Sequence, residues 1–412
     1  MQLLYIDPGT GSMLISVLLG AVATLYFFAR ALTIKLKGTF SLSKHKYSID
    51  NAYPFVIYGE DARYWNLFKP VLDEFEKRGV PLLYLVPDEK DPVYGEAYSS
   101  ISPRAIGEGN KAYGHMRFIS ADFMLMTTPG LGVYQLKRSK SIKHYSFLHH
   151  SVTDACTYRL FSLDHFDSVL INADYQKYYL RKLEEIRGQP PKDLVTVGSS
   201  YLDYNAAMVG TLEKEAGHQF TVLLSPSWGP SGLLSLYGDK LIGELSKTGW
   251  RVIVRPHPQS RISEKEMLDR LQSGCAGNEN VVWDYERNNI YSLAKSDIMI
   301  SDFSGIVFDY ILLFNRPVIY NNQKFDMRIY DAIQIDEEVW GFKTLNRVGV
   351  EIKEEMFGGI KDLISDVAND KSRYALLDEV KKEAWMYQGE AGKRIADYMI
   401  GKTAETANTG NQ

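Results

Sequence analysis

Residues 297–320 read DIMISDFSGIVFDYILLFNRPVIY and contain, in order, the patterns of a strand, a turn, a helix and a second strand. The apolar run 298–300 is typical of a buried parallel strand. Polar residues 301–304 interrupt this run, and an amphipathic pattern then continues to residue 314. Residues 315–317 end the helix, and 318–320 form the next strand. This order predicts half of a doubly wound α/β sheet.

The polar turn in this stretch is a candidate phosphate site. A helix that begins at the carboxyl end of a parallel strand exposes unpaired backbone N–H groups, and these groups bind phosphate. Ser301, Asp302 and Ser304 lie at this point of the predicted unit. The alternative is that the two serines only cap the helix.

Length, charge and cysteine content restrict the class of protein. A chain of 412 residues is long enough for two α/β domains with separate cores. Its net charge of -4 gives no reason to expect nucleic acid as a partner. Cys156 and Cys275 show no pairing pattern and are interpreted as free thiols in a reducing compartment. The eight histidines show no metal-ligand spacing, so we expect neither a metal ion nor another cofactor.

The N-terminal segment predicts a membrane anchor. Residues 8–29 contain no charge and 13–29 are almost entirely apolar, which is enough for one helix across the hydrocarbon layer. The first twelve residues contain no basic side chain, so a cleavable signal peptide is not indicated. The flank that follows has five basic residues and no acid between them: Arg30, Lys35, Lys37, Lys44 and Lys46. By the positive-inside rule, the rest of the chain is then cytoplasmic. A re-entrant or hairpin anchor is the alternative, because three glycines interrupt the apolar run.

From residue 53 onward, apolar runs alternate with amphipathic patterns. Residues 53–58 and 82–86 predict strands, and Asp61 is placed to cap the helix between them. Further strands are predicted at 123–126, 145–148 and 169–171. Residues 88–113 are interpreted as a polar loop. We therefore expect residues 41–212 to form one α/β domain.

The strand at 145–148 is followed by two adjacent histidines, His149 and His150. The carboxyl end of a strand is where α/β folds place their sites, and an imidazole of ordinary pKa can accept a hydroxyl proton near neutral pH. The alternative is a surface pair or a helix-capping pair.

A polar linker at about residue 213 precedes a second α/β series. The strand at 221–224 leads into a glycine- and serine-rich loop, 225–232, which contains Ser227 and lacks the lysine of a P-loop. The strand from residue 251 ends in Arg255-Pro256-His257-Pro258, where two prolines stiffen the backbone around an arginine and a histidine. Such a pair suits diphosphate recognition, or else it is a rigid strand end with an exposed arginine. We expect residues 213–400 to form the second domain and 401–412 a disordered tail.

Three motifs, in this order, carry a resemblance to a known family. They are Arg255-Pro256-His257-Pro258, residues 301–310 (SDFSGIVFDY) and residues 316–320 (RPVIY). Together they resemble the CDP-glycerol glycerophosphotransferase family, the teichoic-acid primases and polymerases, which have the GT-B fold. The closing segment 388–395 (QGEAGKRI) is similar to the last-helix motif of that family.

Two departures from the family pattern bear on the site. Where the family has Trp-His-Gly-Thr, this chain has Leu148-His149-His150-Ser151, so either His149 or His150 matches the family's histidine. Gly305 stands where the family commonly has a serine, which removes one hydroxyl from the phosphate site.

The resemblance implies a transferase with two Rossmann-type domains that face a cleft, and the predicted N-terminal anchor would hold it at a membrane. It would move a glycerol-phosphate or related polyol-phosphate unit from a CDP-linked donor to a hydroxyl of a lipid-linked or glycan acceptor, and release CMP. One of His149 and His150 would accept the hydroxyl proton, and His257 would stabilise the charge that develops on the phosphoryl group. The residues implied in donor binding are Arg255, Ser227, Glu286, Ser301, Asp302, Ser304 and Gly305. The first domain would bind the acceptor and the second domain the donor.

Two other functions fit the same patterns. One is a GT-B glycosyltransferase that uses a nucleotide sugar, and the other is a catalytically inactive, membrane-tethered protein that binds nucleotides or lipid headgroups. A shared fold does not distinguish these functions.

Overall fold

Two parallel sheets, each packed against helices, make up the part of the protein that follows residue 52. This computed structural model describes residues 53–409 except 213–216, 287 and 322–325, together with 21–22, 24–26 and 28–29. Tyr53–Gln412 is one compact unit. The predicted architecture of two doubly wound α/β domains is confirmed.

The predicted membrane anchor and its basic flank, residues 1–40, lie largely outside the described residues. The described positions within 21–29 are helical and exposed. Among the described residues, the structure contains no helix that is both long enough and apolar enough to span a bilayer.

The first sheet has seven parallel strands in the order β3-β2-β1-β4-β5-β6-β7. They are β1 (Tyr53–Tyr58), β2 (Leu82–Val86), β3 (Ile101–Ala105), β4 (Ala121–Met126), β5 (Ile142–Leu148), β6 (Ser168–Ile171) and β7 (Asp193–Thr196). Alternate side chains of β1 enter two cores: Val56 lies in one and Ile57 in the other. The strand order reverses between β1 and β4, and such a reversal opens a crevice at the carboxyl ends of the strands.

Helices α1 to α4 surround this sheet. They are α1 (Trp65–Lys77), α2 (Gly109–Met116), α3 (Tyr175–Arg187) and α4 (Ser200–Val209), with short 3₁₀ turns at Ala62–Tyr64, Pro92–Gly95 and Ala155–Thr157. Asp61, which was predicted to cap the helix, caps the 3₁₀ turn that leads into α1, because its carboxylate accepts from the backbone N–H of Arg63 at 2.8 Å. The apolar face of α1, formed by Leu67, Phe68, Val71, Leu72 and Phe75, is buried.

The second sheet has six parallel strands in the order β10-β9-β8-β11-β12-β13. They are β8 (Thr221–Leu224), β9 (Arg251–Val254), β10 (Val281–Trp283), β11 (Ile298–Ser301), β12 (Val318–Tyr320) and β13 (Gly349–Glu351). The order reverses between β8 and β11, which repeats the topology of the first sheet.

Nine helices follow α4 in the described part of the chain. They are α5 (Leu233–Ser246), α6 (Ser260–Ser263), α7 (Lys265–Gly274), α8 (Ile290–Lys295), α9 (Ile306–Phe314), α10 (Trp340–Val348), α11 (Ile360–Asn369), α12 (Lys371–Ala384) and α13 (Ala391–Thr409), with 3₁₀ turns at Asp331–Gln334 and Glu354–Gly359.

Residues 297–320 form β11, α9 and β12, in the order that their pattern predicts. Asn315 ends α9 in the left-handed conformation, with φ 51°. The guanidinium of Arg316 donates to the carbonyl oxygens of Leu293 and Ala294 at 3.2 and 2.9 Å. Because these carbonyls lie at the carboxyl end of α8, Arg316 fixes that helix against the sheet.

Residues 88–113 contain more regular structure than the predicted loop. The edge strand β3 and the start of α2 both fall in this range. The sequence Ile-Ser-Pro-Arg-Ala of β3 lacks an apolar run, and an edge strand tolerates both its proline and its polar side chains. This is why the pattern did not indicate a strand.

The last helix corrects two predictions. Because α13 continues to Thr409, residues 401–409 are helical and the predicted disordered tail is wrong for them. Ile395 and Met399 are buried in a core of the first sheet, and Lys402 forms an ion pair with Asp193 at 2.7 Å. The helix therefore packs on the first domain, although the predicted boundaries placed residues 391–400 in the second.

Buried polar contacts join the domains away from the sheets, and two of them involve aspartates. The buried carboxylate of Asp154 accepts from the backbone N–H groups of Trp340 and Gly341 at 3.0 and 2.7 Å, which caps α10. Arg187 of α3 forms a buried ion pair with Asp331.

Candidate active site

A cleft of about 590 Å³ lies between the two domains, at the carboxyl ends of both sheets. From the first domain it is lined by Ala62, Arg63, Trp65, Asn66, Pro92 and Tyr201. From the second domain it is lined by Ser225, Pro226, Arg255, Pro256, His257, Pro258, Asn288, Asn289, Ser304, Gly305 and Ile306. The structure thus brings the strand-end motifs of the second domain together in one wall.

Asp302 organises this wall from behind. Its side chain is buried, and its carboxylate accepts from the backbone N–H groups of Ser227 at 2.9 Å, Leu233 at 3.0 Å and Ser304 at 3.1 Å. Burial raises the pKa of Asp302, and these hydrogen bonds lower it. The carboxylate therefore holds the loop 225–232 and the start of α5 in place, and it does not line the cleft.

Ser301 also has a supporting position. Its hydroxyl is buried and donates to the backbone carbonyl of Ser225 at 2.7 Å, which ties the ends of β8 and β11 together. Ser227 contributes its backbone N–H to Asp302, while its hydroxyl is buried without a partner among the described residues. Neither serine side chain lines the cleft, which differs from the direct donor contacts predicted for them.

Ser304 and Gly305 do line the cleft, at the N-terminus of α9. The backbone N–H groups of Gly305 and Ile306 have no acceptor in the described part of the chain. Such free N–H groups at the start of a helix are typical of a phosphate site. The phosphate site at these two positions stays a prediction, and Ser304 and Gly305 lie where such a site requires them.

Arg255 lines the cleft, but its guanidinium is already paired with groups of a neighbouring loop. Its guanidinium pairs with the carboxylate of Asp284 and donates to the backbone carbonyl of Glu286 at 2.6 Å. The side chain of Glu286 is exposed and does not line the cleft. Glu286 therefore contributes its backbone carbonyl, which holds Arg255 in place, and its carboxylate has no contact with the cleft.

His257 presents an N–H group. Its Nδ1 accepts from the backbone N–H of Gln259 at 3.1 Å, so in the neutral ring the proton resides on Nε2. Burial and the charge of Arg63 lower the pKa of His257, which keeps the ring neutral near pH 7. In this tautomer the ring donates a hydrogen bond and cannot act as a base at Nε2.

His149 has no free lone pair. Its Nδ1 accepts from the backbone N–H of Ser151 at 3.2 Å, and its Nε2 is buried without a partner among the described residues. Burial, followed by the proximity of His150, lowers the pKa of His149 to about 3. The ring is therefore a neutral core group, with 1% of its surface exposed.

His150 has the opposite arrangement. The hydroxyl of Thr127 donates to the carbonyl of Leu148 at 2.8 Å, so its oxygen accepts from His150 Nδ1 at 2.7 Å. The proton of the neutral ring then resides on Nδ1, and Nε2 keeps its lone pair. Burial and the charge of Arg63 lower the pKa of His150 to about 4, so the lone pair is available at neutral pH.

The two domains meet at this point. A Cβ atom built on Gly305 would lie 3.5 Å from the hydroxyl oxygen of Ser151, directly after the histidine pair. Arg63 lines the cleft with 63% of its side chain exposed, and its charge acts on both His150 and His257.

Arg63, Asn66, Tyr201 and Asn289 line the cleft and were not predicted as site residues. Arg63 follows the carboxyl end of β1 by five positions, so its location after a strand was the available signal. Asn66 and Tyr201 lie in or beside helices whose sequence pattern indicates packing only.

Residues 150–337 match the model of the family described as CDP-Glycerol:Poly(glycerophosphate) glycerophosphotransferase. The family resemblance is confirmed. The matched segment begins at His150 and contains the second-domain wall of the cleft. A glycerophosphotransferase-like enzyme, as the motifs indicated, is therefore supported by the family match.

Solved structures share the fold of this glycerophosphotransferase-like protein at low sequence identity. The wall teichoic acid polymerase TagF is 15% identical with a TM-score of 0.58, and the match covers 93% of this chain and 97% of that chain. A putative UDP-N-acetylglucosamine 2-epimerase from Listeria monocytogenes is 11% identical with a TM-score of 0.58, over 86% of this chain and 98% of the other. At these identities the matches show the fold alone. No curated protein sequence matches this chain.

Proposed function

We propose that this protein transfers a glycerol-phosphate or related polyol-phosphate unit from a CDP-linked donor to an acceptor hydroxyl, in the synthesis of a teichoic-acid-like polymer. The observation that carries the proposal is a pair of complementary imidazoles. His257 lines the cleft, and His150 does not line it but precedes Ser151, which faces Gly305 of the cleft wall. His150 offers a lone pair at Nε2, and His257 offers an N–H group. One ring suits a nucleophile that loses a proton, and the other suits a phosphoryl group that gains negative charge.

In the proposed reaction the acceptor oxygen attacks the phosphorus that lies farther from the cytidine. The new O–P bond forms as the hydroxyl proton moves to Nε2 of His150. The bond between this phosphorus and the bridging oxygen breaks, and CMP leaves with the electron pair. Positioned hydrogen-bond donors stabilise the transition state of this transfer, and no covalent intermediate with the enzyme is needed.

The developing charge is stabilised by N–H groups in the second-domain wall. His257 Nε2–H and the free backbone N–H groups of Gly305 and Ile306 line the same cleft. Ser304 adds a hydroxyl beside them. This set supports the assignment of the second domain to the donor.

Arg63, and not Arg255 as predicted, is the proposed cationic partner of the donor diphosphate. The guanidinium of Arg255 is paired with Asp284, whereas Arg63 is mostly exposed in the cleft. Arg63 pairs with Asp61 at 3.4 Å, a long contact at the surface that a diphosphate can replace. Arg255, Asp302 and Ser301 then support the wall that binds the donor, with Ser227 held through its backbone.

We further propose that residues 13–29 anchor the enzyme on the cytoplasmic side of a membrane, where a lipid-linked acceptor is accessible. The uncharged run and the basic flank support this proposal. Release of the full-length chain from membranes by a high-salt wash would contradict it. Protease access from outside intact cells to a tag after Gln412 would contradict it as well.

The activity is tested by incubating the full chain with CDP-glycerol, CDP-ribitol and a set of UDP-sugars, and measuring the nucleotide released. The proposal predicts CMP from a CDP-linked polyol and no UDP. Release of UDP instead would favour a nucleotide-sugar glycosyltransferase, and no release from any donor would favour a binding protein.

A further inference from the structure

The crevice of the first sheet contains a carboxylate that the proposed reaction does not use. Glu60 follows β1, and Thr128 follows β4, at the point where the strand order reverses. The hydroxyl of Thr128 donates to Glu60 Oε2 at 2.8 Å. Burial raises the pKa of Glu60, and the bond from Thr128 lowers it. Residue 60 lies outside the segment that matches the family model.

This carboxylate has room for further hydrogen bonds. Among the described residues, Thr128 donates a hydrogen bond to Oε2 of Glu60. The side chain of Glu60 is partly exposed, and its Oε1 does not belong to the buried polar atoms that lack a hydrogen-bond partner. A partly desolvated carboxylate that accepts one hydrogen bond is stabilised by any hydroxyl that donates to it.

Three partly exposed tyrosines lie close enough to Glu60 to feel its charge, and two of them, Tyr64 and Tyr158, also contact the ring of His150. Burial raises the pKa of Tyr64, Tyr113 and Tyr158, and the charge of Glu60 contributes to the shift of each. The three rings are neither fully buried nor fully exposed. A carboxylate among aromatic rings suits a ligand that has hydroxyl groups on an otherwise apolar frame, such as a sugar or a polyol.

The same crevice adjoins the proposed base. Thr127, next to Thr128, accepts from His150 Nδ1 at 2.7 Å, and the hydroxyl of Tyr158 lies 3.3 Å from the same nitrogen. The ring centres of Tyr64 and His150 are 5.0 Å apart. A hydroxyl compound held by Glu60 is therefore held beside the ring of His150, on the side of Nδ1.

We propose that Glu60 and the rings of Tyr64, Tyr113 and Tyr158 bind the end of the acceptor, and that they select an end that is uncharged and rich in hydroxyl groups. Glu60 accepts a hydrogen bond from a hydroxyl next to the reacting one. A phosphate at this position is disfavoured, because two negative charges repel each other strongly in a partly desolvated site. This inference rests on the proposed function and names its acceptor class.

The test uses two acceptor probes that differ by one charged group: 1-O-octylglycerol, and the octyl phosphodiester of glycerol. Transfer from the active CDP-linked donor is measured with the full chain, with Glu60→Gln, and with Glu89→Gln as a control at an exposed carboxylate. We expect the full chain to prefer the uncharged probe. Glu60→Gln should raise KM for that probe about 10-fold or more, with a smaller change in kcat and no change in KM for the donor. Its preference over the charged probe should shrink.

Thr128→Val provides a second variant if Glu60→Gln does not fold, and it should also raise KM for the uncharged probe. Unchanged acceptor KM in the variants would overturn the inference. So would a preference of the full chain for the charged probe, or use of neither probe while CMP is released. No CMP from any donor would overturn the proposed function, and this inference with it.

Discussion

Asp302 supports the second-domain wall of the cleft, the proposed donor side, without lining it. Because its carboxylate accepts from three backbone N–H groups, Asp302→Asn should both loosen the loop 225–232 and reduce the free energy of unfolding by about 1–3 kcal/mol. KM for the donor should rise, while KM for the acceptor stays the same. Urea unfolding and initial rates measure the two effects. Asp366→Asn, at an exposed position of α11, is the control, and equal behaviour of the two variants would contradict the role of Asp302.

The sequence placed the important residues at strand ends but did not give the direction of their side chains. Ser301, Asp302 and Ser304 are close together in the chain, yet only Ser304 lines the cleft. The first two point into the domain, where they satisfy backbone groups of the neighbouring loop. The side chains of adjacent residues at the end of a strand point to opposite faces of the sheet, and a single sequence does not tell which of these side chains faces the cleft.

The same limit applies to the histidine pair. The motif identified both rings, but their roles depend on contacts that come from other strands and loops. Thr127 of the neighbouring strand end fixes the proton of His150, and the backbone of Ser151 occupies the lone pair of His149. Neither contact follows from a pattern in the sequence.

At the scale of elements, the contact between α13 and α1 depends on one glycine. A Cβ atom on Gly392 would lie 2.5 Å from the backbone oxygen of Pro70, so Gly392→Ala requires the helices to separate. We expect a loss of about 1–3 kcal/mol in the free energy of unfolding. Gly401→Ala in the same helix is the matched control, since nothing lies within 4 Å of its added Cβ. It should stabilise the protein by about 0.5–1 kcal/mol, and a larger loss at Gly401 than at Gly392 would contradict this packing.

Elements with apolar runs were predicted well, and elements with mixed composition were not. The runs at 53–58, 82–86, 221–224 and 318–320 are strands with the predicted bounds. The polar edge strand β3 and the extension of α13 beyond residue 400 were missed. The packing of α13 on the first domain depends on contacts between distant parts of the chain, which periodicity does not encode.

At the scale of the whole molecule, a titratable contact crosses between the domains. Tyr201 of the first domain donates to the carboxylate of Asp309 in the second at 3.1 Å, and burial raises the pKa of Asp309 to about 7. An unfolded chain releases this proton near pH 4, at about the ordinary pKa of Asp. Between these pH values the folded protein holds a proton that the unfolded chain has lost. Stability therefore falls as the pH rises toward 7.

Asp309→Asn should remove this dependence, because an amide keeps an acceptor for Tyr201 and does not titrate. Relative to the unmodified protein, the variant should gain about 1–3 kcal/mol between pH 5 and pH 8. Urea unfolding at the two pH values measures the difference. A difference between the two proteins that does not change with pH would contradict the account.

The most direct test of the proposed chemistry compares His150→Gln with His149→Gln in CMP release from a saturating CDP-linked donor with an acceptor present. Donor affinity is measured on the same proteins by calorimetry. We expect His150→Gln to lower turnover by about 100-fold or more and to leave donor affinity unchanged, because it removes the proton acceptor. His149→Gln should lower turnover by less than about 10-fold, since its ring is a neutral core group. A larger loss at His149 than at His150, or small and equal losses at both, would contradict the assignment of His150 as the base.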